Sequence, residues 1–159
     1  MTTSDLTLIR EKHAQLDALL PSLPADAWVV FCREGSDRST LLFAGHEMVG
    51  LSAFVFTRTG RKVALVADYD RMGIEAPGVF HDVVAYGREG LTGHLKGLWD
   101  ELKPASVALN QHEDDYLVDG LTVGLRRARR RARGAAAHRL ARAVGRLGPD
   151  CGRHRGRDL

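Results

Sequence analysis

The stretch SAFVFTRTGRKVALVA, residues 52–67, carries the strongest structural signal in the chain. Two runs rich in valine, phenylalanine and leucine, Ser52–Thr57 and Lys62–Ala67, are separated by the four residues Arg58-Thr59-Gly60-Arg61. Apolar β-forming residues on both sides of a short turn that contains glycine are typical of a β-hairpin. The sequence therefore predicts a sheet that contains an antiparallel pair of strands.

The segments on either side of this hairpin predict further strands and helices. Ala27–Cys32 is a continuous apolar run with the length of a buried strand, and Val83–Tyr86 and Ser106–Leu109 are shorter runs. A first helix, capped by Ser4 or Asp5, is expected to end at Pro21, and a second covers the residues before Pro104. Alternating helices and strands predict an α/β fold in which helices cover a mixed sheet.

Charge divides the chain at residue 125. Residues 1–125 contain 11 Lys and Arg against 18 Asp and Glu, a net charge of −7. Residues 126–159 contain 12 Arg against 2 Asp, a net charge of +10, so the basic pI comes from this tail. We therefore predict a domain over residues 1–125, closed by a helix that begins in the acidic stretch Glu113–Asp119, and a basic low-complexity tail, helical or disordered, over residues 126–159.

The composition of the tail is compatible with two origins. Arg, Ala, Gly and Pro, whose codons are dominated by G and C, supply 25 of its 34 residues, as expected when a GC-rich gene is read out of frame. The alternative is a genuine basic tail that contacts nucleic acid or another polyanion. In that case we expect contact through the arginines nearest the domain: Arg126, Arg127, Arg129, Arg130, Arg131 and Arg133.

Cysteine content and hydropathy indicate where the protein works. Cys32 lies in an apolar run and Cys151 in the tail, so the two thiols predict a reducing compartment and no disulfide framework. The first residues lack the basic and apolar regions of a signal peptide, and no apolar stretch approaches the ~20 residues that cross a bilayer. We expect a cytoplasmic protein that makes no membrane contact.

One acidic cluster has the atom types of a metal site. Adjacent residues on one helix do not face a common point, whereas metal ligands must converge from several elements. We therefore interpret the cluster as a solvated helix start; its members are His112, Glu113, Asp114, Asp115 and Asp119.

Three shorter groups have catalytic residue types without catalytic spacing. Asp68-Tyr69-Asp70 follows a predicted strand and is interpreted as a strand-end turn. His46-Glu47 and His81-Asp82 each place a histidine beside a carboxylate, but no nucleophile stands at a recognisable spacing, so we interpret both as surface pairs. The glycines form no phosphate-binding motif. We assign no catalytic, cofactor-binding or metal-binding residue in this chain.

Several strings occur in an order that resembles a known family. The first strand is followed by Ser39–His46, in which Leu42-Phe43-Ala44-Gly45-His46 is similar to a "YLTGF"-like loop, and then by the hairpin Ala53–Val66. Val107–Asn110 and Asp119–Gly124 follow. Over about residues 5 to 125, this order resembles the N-terminal domain of the prolidase, aminopeptidase P and creatinase family, which includes the Xaa-Pro aminopeptidases and dipeptidases.

The resemblance implies a fold and a role. It implies a three-layer α/β/α domain with a mixed sheet of about five to six strands. Such a domain performs no chemistry but shapes the entrance to a partner's active site and contributes to a dimer interface, so we expect a homodimer or other self-association. Hydrolysis before proline belongs to a following pita-bread domain that holds two divalent ions, Mn or Zn, around a bridging hydroxide. None of its five ligands can be assigned here, and the chain departs from the family where the arginine-rich tail begins, so we expect a domain truncated before the catalytic part.

Overall fold

The computed structural model describes residues 3–112, 119–122 and 126, and within them a five-stranded sheet is flanked by helices. The strands are β1 Ala27–Cys32, β2 Ser52–Thr57, β3 Lys62–Ala67, β4 Asp82–Tyr86 and β5 Val107–Leu109. The helices are α1 Thr3–Leu19, α2 Thr40–Ala44, α3 Arg71–Glu75 and α4 Leu91–Leu102, with short 3-10 turns at Leu20–Ser22 and Asp68–Asp70.

The strands are arranged in the order β4-β3-β2-β1-β5. The central pairs β1–β2 and β2–β3 are antiparallel, with Val55 opposite Val29 on one side and Val63 on the other. The outer pairs β1–β5 and β3–β4 are parallel, so the sheet is mixed as predicted. The carboxyl ends of β1, β3, β4 and β5 therefore lie along one edge of the sheet, the carboxyl edge, and their amino ends along the opposite, amino edge.

Side chains alternate between two hydrophobic cores, one on each face of the sheet. Val29 and Phe31 belong to the core that contains the buried residues of α4, including Leu95 and Trp99. Val30 belongs to the opposite core, which contains buried residues of α2 and α3 and is flanked by α1. All residues of β2 and β3 are buried. The predicted α/β/α layering is confirmed, because strands buried on both faces need helices on both sides.

An aromatic cluster fastens α2 to the sheet. The ring of Phe43, in α2, lies with its centroid 5.0 Å from those of both Phe54 and Phe56 in β2. Trp28 in β1 stacks on Phe56 at 5.1 Å. Edge-on and stacked aromatic pairs add to the free energy of burial, so this short helix is held by its packing more than by its own propensity.

The structure differs from the sequence predictions mainly in two short helices. The segment Ser39–His46 was expected as a loop, but it contains α2, which ends at Gly45 with a left-handed φ of 80°. Helix α3 was not predicted either, because five residues do not display a helical period. Among the described residues, no helix is long and apolar enough to cross a membrane.

Other predictions fall outside the described residues. The helix expected to run from Glu113 to Leu125 is wrong over residues 119–122, which form no helix because Gly120 packs against Asp37 and the Leu121 N–H donates to the carbonyl of Asn110. Its other residues, 113–118 and 123–125, lie outside the described part of the chain, and Arg126 is the only described residue of the tail. The boundary at residue 125 and the character of residues 126–159 stay predictions.

Candidate interaction surface at the carboxyl edge of the sheet

Most of the candidate residues considered above lie at the carboxyl edge. This edge is formed by the segment 33–51 between β1 and β2, the turn and helix after β3, and the segments 110–112 and 119–122. His46-Glu47 and Asp68-Tyr69-Asp70 are there, as are His112 and Asp119. His81-Asp82 lies at the amino edge, where β4 begins. Glu113, Asp114 and Asp115 lie outside the described residues.

The Asp70 carboxylate ties the two largest of these segments together. Asp70 is buried, and its oxygens accept hydrogen bonds from the backbone N–H of Val49 at 3.3 Å and of Gly50 at 2.8 Å. Gly50 allows this approach, because a Cβ there would lie 2.5 Å from the Cβ of Ala67. The predicted strand-end turn is present, and its buried carboxylate is engaged by the backbone.

His46 joins the same two segments at a second point. Its ring is half-buried against α3, and a Cβ on Gly73 would lie 2.2 Å from its Nε2. Nε2 is buried and has no hydrogen-bond partner among the described residues. Glu47 is exposed and His46 is partly exposed, so the pair lies at the surface, and the histidine ring also packs against α3. Gly73 leaves space for the ring because it has no side chain. No pattern in the sequence indicates this role.

A polar network connects the β1–α2 loop to the end of β5. Asn110 accepts a hydrogen bond from Trp28 Nε1 at 2.7 Å and donates from Nδ2 to Asp37 Oδ2 at 2.8 Å. The other Asp37 oxygen accepts from the backbone and hydroxyl of Ser39, at 3.0 and 2.6 Å. The segment 119–122 packs closely here, since a Cβ on Gly120 would lie 2.1 Å from Asp37 Oδ2. No local pattern in the sequence indicates this network, because its members are distant along the chain.

Tyr86 closes the carboxyl edge beside Asp70. Its hydroxyl donates a hydrogen bond to the carbonyl of Leu51. Burial raises the pKa of Tyr86 to about 12, and the neighbouring Tyr69 and Asp70 add to the increase. The phenol is therefore neutral at physiological pH. As a hydrogen-bond donor to Leu51, it holds the chain directly before the start of β2.

Exposed apolar side chains surround these buried polar groups. They come from α2, the 45–50 loop, the turn after β3 and α3, and their exposed fractions rise from 45% for Leu41 to 82% for Met72. We call this set the apolar rim: Leu41, Leu42, Val49, Tyr69 and Met72. Asp70 and His46 bind the 45–50 loop to the turn after β3 and to α3, so the rim residues lie on segments that adjoin at this edge.

The two buried carboxylates at this edge are engaged within the domain. The carboxylates of Asp37 and Asp70 are buried and accept hydrogen bonds from the protein itself. Among the described residues, no three His, Cys, Asp or Glu side chains are grouped so that they could hold a metal ion. The edge therefore combines exposed apolar side chains with a backbone that is fixed by hydrogen bonds.

At the amino edge, His81-Asp82 is engaged by other residues of the domain. His81 Nδ1 accepts a hydrogen bond from the backbone N–H of Lys62 at 3.1 Å. The Asp82 carboxylate pairs with the Arg61 guanidinium at 3.0 Å. The histidine and its neighbouring carboxylate therefore have different partners.

Comparison with solved structures identifies the fold. The chain is similar to an Xaa-Pro dipeptidase from Bacillus anthracis, with a TM-score of 0.55 and 16% identity over 78% of this chain and 31% of that chain. It is similar to an X-Pro aminopeptidase from Thermotoga maritima MSB8, with a TM-score of 0.58 and 17% identity over 76% and 30% of the two chains. The chain is also similar to the N-terminal domain of an Xaa-Pro dipeptidase from Lactobacillus brevis. The TM-score is 0.52 and the identity 13%, over 74% of this chain and 84% of that chain.

These similarities concern the fold, because all three identities are below one in five. No family model and no curated protein sequence matches the chain. The chain spans less than a third of the first two structures but most of the third, which is an isolated N-terminal domain. The described residues therefore have the fold of the N-terminal domain of Xaa-Pro peptidases, as the sequence resemblance predicted.

The raised pKa of Tyr86 predicts a specific loss of stability in alkali. Between about pH 10 and about pH 12 the folded chain keeps the phenol proton that the unfolded chain releases, so the free energy of unfolding falls as the pH rises. Urea unfolding across this range should show a steeper fall for the wild type than for Tyr86→Phe. Parallel curves for the two proteins would show that Tyr86 ionises alike in both states.

Proposed function

We propose that the chain provides a non-catalytic domain of the kind that Xaa-Pro dipeptidases and aminopeptidases carry at the N-terminus. Its role is to bind a second subunit or a catalytic domain through the carboxyl edge, contributing to dimerisation and to the shape of an active-site entrance. The observation that carries this proposal is the apolar rim, which is exposed at one edge of a fold shared with those peptidases.

The apolar rim has the composition of an interface. Single exposed apolar residues are ordinary on a soluble protein, whereas a group of large ones on one connected surface is typical of an interface. Leu42, Tyr69 and Met72 each expose more than half of their area. Tyr69 and Met72 adjoin Asp70, whose hydrogen bonds fix the backbone there, and the α2 helix of Leu42 is held by Phe43, so little backbone entropy is lost when a partner binds.

The proposal leaves the chemistry to a separate catalytic domain. In Xaa-Pro peptidases that domain would supply two divalent ions, Mn or Zn, and their ligands, as the family resemblance implies. The proposal also places the protein in the cytoplasm, and the buried free thiol of Cys32 is compatible with a reducing compartment.

We expect the purified chain to release no product from Xaa-Pro dipeptides, with or without added Mn²⁺ or Zn²⁺. A two-metal hydrolase needs ligands from several elements to converge, and this chain is proposed to lack them. Product release can be followed by chromatography of the amino acids. Metal-dependent turnover that survives repurification and disappears with a chelator would overturn the non-catalytic assignment.

We expect the wild-type chain to self-associate through the apolar rim. The double substitution Leu42→Ser, Met72→Ser removes two exposed apolar side chains and should raise the dimer dissociation constant about tenfold or more, measured by sedimentation velocity. The matched control is Leu8→Ser, Leu19→Ser, which removes from α1 two leucines that also expose more than half of their area. A monomeric wild type, or equal effects of the two double variants, would contradict this role of the rim.

The charge division supports one alternative function. A domain of net charge −7 joined to a tail of net charge +10 is compatible with a module that binds nucleic acid or another polyanion through the tail. Clustered arginines attract phosphates whatever the origin of residues 126–159, so this alternative concerns binding by the tail and not its origin.

If the tail binds nucleic acid, affinity should fall steeply as salt rises. Replacing six arginines by glutamine should then reduce both the affinity and the slope of its salt dependence, measured by fluorescence anisotropy with a labelled oligonucleotide. The substituted residues are Arg126, Arg127, Arg129, Arg130, Arg131 and Arg133. Binding that is unchanged by these substitutions would exclude these arginines as its source.

A further inference from the structure

A cleft at the amino edge of the sheet contains none of the rim residues and has a different chemical character. It is formed between α1 and residues 78–81, which lead into β4, and has a volume of about 430 Å³. This volume is in the range of small-molecule sites, and the cleft is shallow and widely open to solvent. Its polar lining consists of Arg10, His13, Asp17, Lys62 and His81.

Lys62 supplies a buried positive charge to the cleft. It is the first residue of β3, and only 7% of its side chain is exposed. Its Nζ lies 2.9 Å from both carboxylate oxygens of Asp17. Since an ammonium group has three N–H donors, the pair with this one carboxylate leaves donor capacity for a second acceptor.

Arg10 supplies a second positive charge in a defined orientation. Its Nε donates a hydrogen bond to the carbonyl of Pro77 at 3.0 Å, which fixes the plane of the guanidinium. Its two terminal nitrogens have no hydrogen-bond partner among the described residues. A guanidinium held by Nε and open at its outer nitrogens is suited to paired contact with a carboxylate.

The two histidines have opposite hydrogen-bonding roles. His81 Nδ1 accepts the backbone N–H of Lys62, so in the neutral ring Nε2 carries the proton and is a donor. His13 Nε2 lies 2.9 Å from the carbonyl of Phe43, so Nε2 is the donor there, and burial lowers the pKa of the ring. The neutral His13 ring therefore lines the cleft. Its centroid lies 5.1 Å from that of Phe80, and the two rings are nearly perpendicular.

The local charge of the cleft is opposite to that of the domain. With both histidines neutral, Arg10 and Lys62 exceed Asp17 by one positive charge, whereas residues 1–125 carry a net charge of −7. The rest of the lining includes the apolar side chains of Ala14, Val79 and Phe80. One net positive charge beside an apolar wall matches a ligand that has one negative charge and an apolar body.

We propose that this cleft binds a small organic monocarboxylate. The Arg10 guanidinium and the Lys62 ammonium contact the carboxylate together with His81 Nε2–H, and the wall of Ala14, Val79 and Phe80 contacts the apolar body. The site is independent of the apolar rim, because it lies at the opposite edge of the sheet and uses none of the rim residues.

The test uses the full chain, labelled with ¹⁵N, and sodium benzoate as the probe. Amide shifts should change for residues 10–17 and 78–81 and saturate. Arg10→Gln should weaken benzoate binding about tenfold or more, because it removes a charge-assisted pair. His81→Ala should weaken binding as well. The control Lys12→Gln removes one positive charge from the same helix outside the cleft and should leave the affinity within about twofold.

Two further probes separate charge from apolar contact. Benzyl alcohol has the ring without the charge, and inorganic phosphate has the charge without the ring, so both should bind more weakly than benzoate. The proposal is overturned if benzoate does not bind, or if either comparison probe binds as tightly. It is also overturned if the shifts arise outside the cleft, or if Arg10→Gln and Lys12→Gln have equal effects in proteins whose spectra show an intact fold.

Discussion

The burial of β2 and β3 on both faces is the constraint on which the rest of the structure depends. Every residue of these two strands is buried, and their side chains alternate between two separate cores. An apolar strand pair of this kind is stable only when helices cover it on both sides. Helix α4 takes one face, and α1, α2 and α3 take the other. Because both faces of the sheet are apolar, the polar side chains that could contact a ligand or a partner lie at the ends of the strands.

The two edges of the sheet use polar side chains differently. At the carboxyl edge, the buried carboxylates of Asp37 and Asp70 accept hydrogen bonds from the chain and hold apolar residues in place at the surface. At the amino edge, Lys62 and Arg10 bring positive charge into a cleft of a negatively charged domain. The first arrangement is suited to a protein partner and the second to a small anion, so one domain offers two surfaces of distinct chemistry.

The regular elements were predictable because their signals are local. The limits of β1, β2 and β3 agree with the apolar runs from which they were predicted, and α4 ends just before Pro104, as expected. Helices α2 and α3 were not predictable in this way, since each has five residues and α2 is held by the contacts of Phe43 with β2. Their stability comes from tertiary packing, which overrides weak local preference.

By itself, the sequence determined the α/β class, the antiparallel hairpin and the strand limits, because alternation and turn residues act between near neighbours. Only the tertiary structure decided how the edges are built. Asp37 and Asn110 are 73 residues apart in the chain, and Lys62 and Asp17 are 45 apart, yet each pair is within hydrogen-bond distance. Such pairs depend on strand order and on the placement of α1, which no local pattern specifies. Glycine at positions 50, 73 and 120 is explained only by the side chains that fold against it.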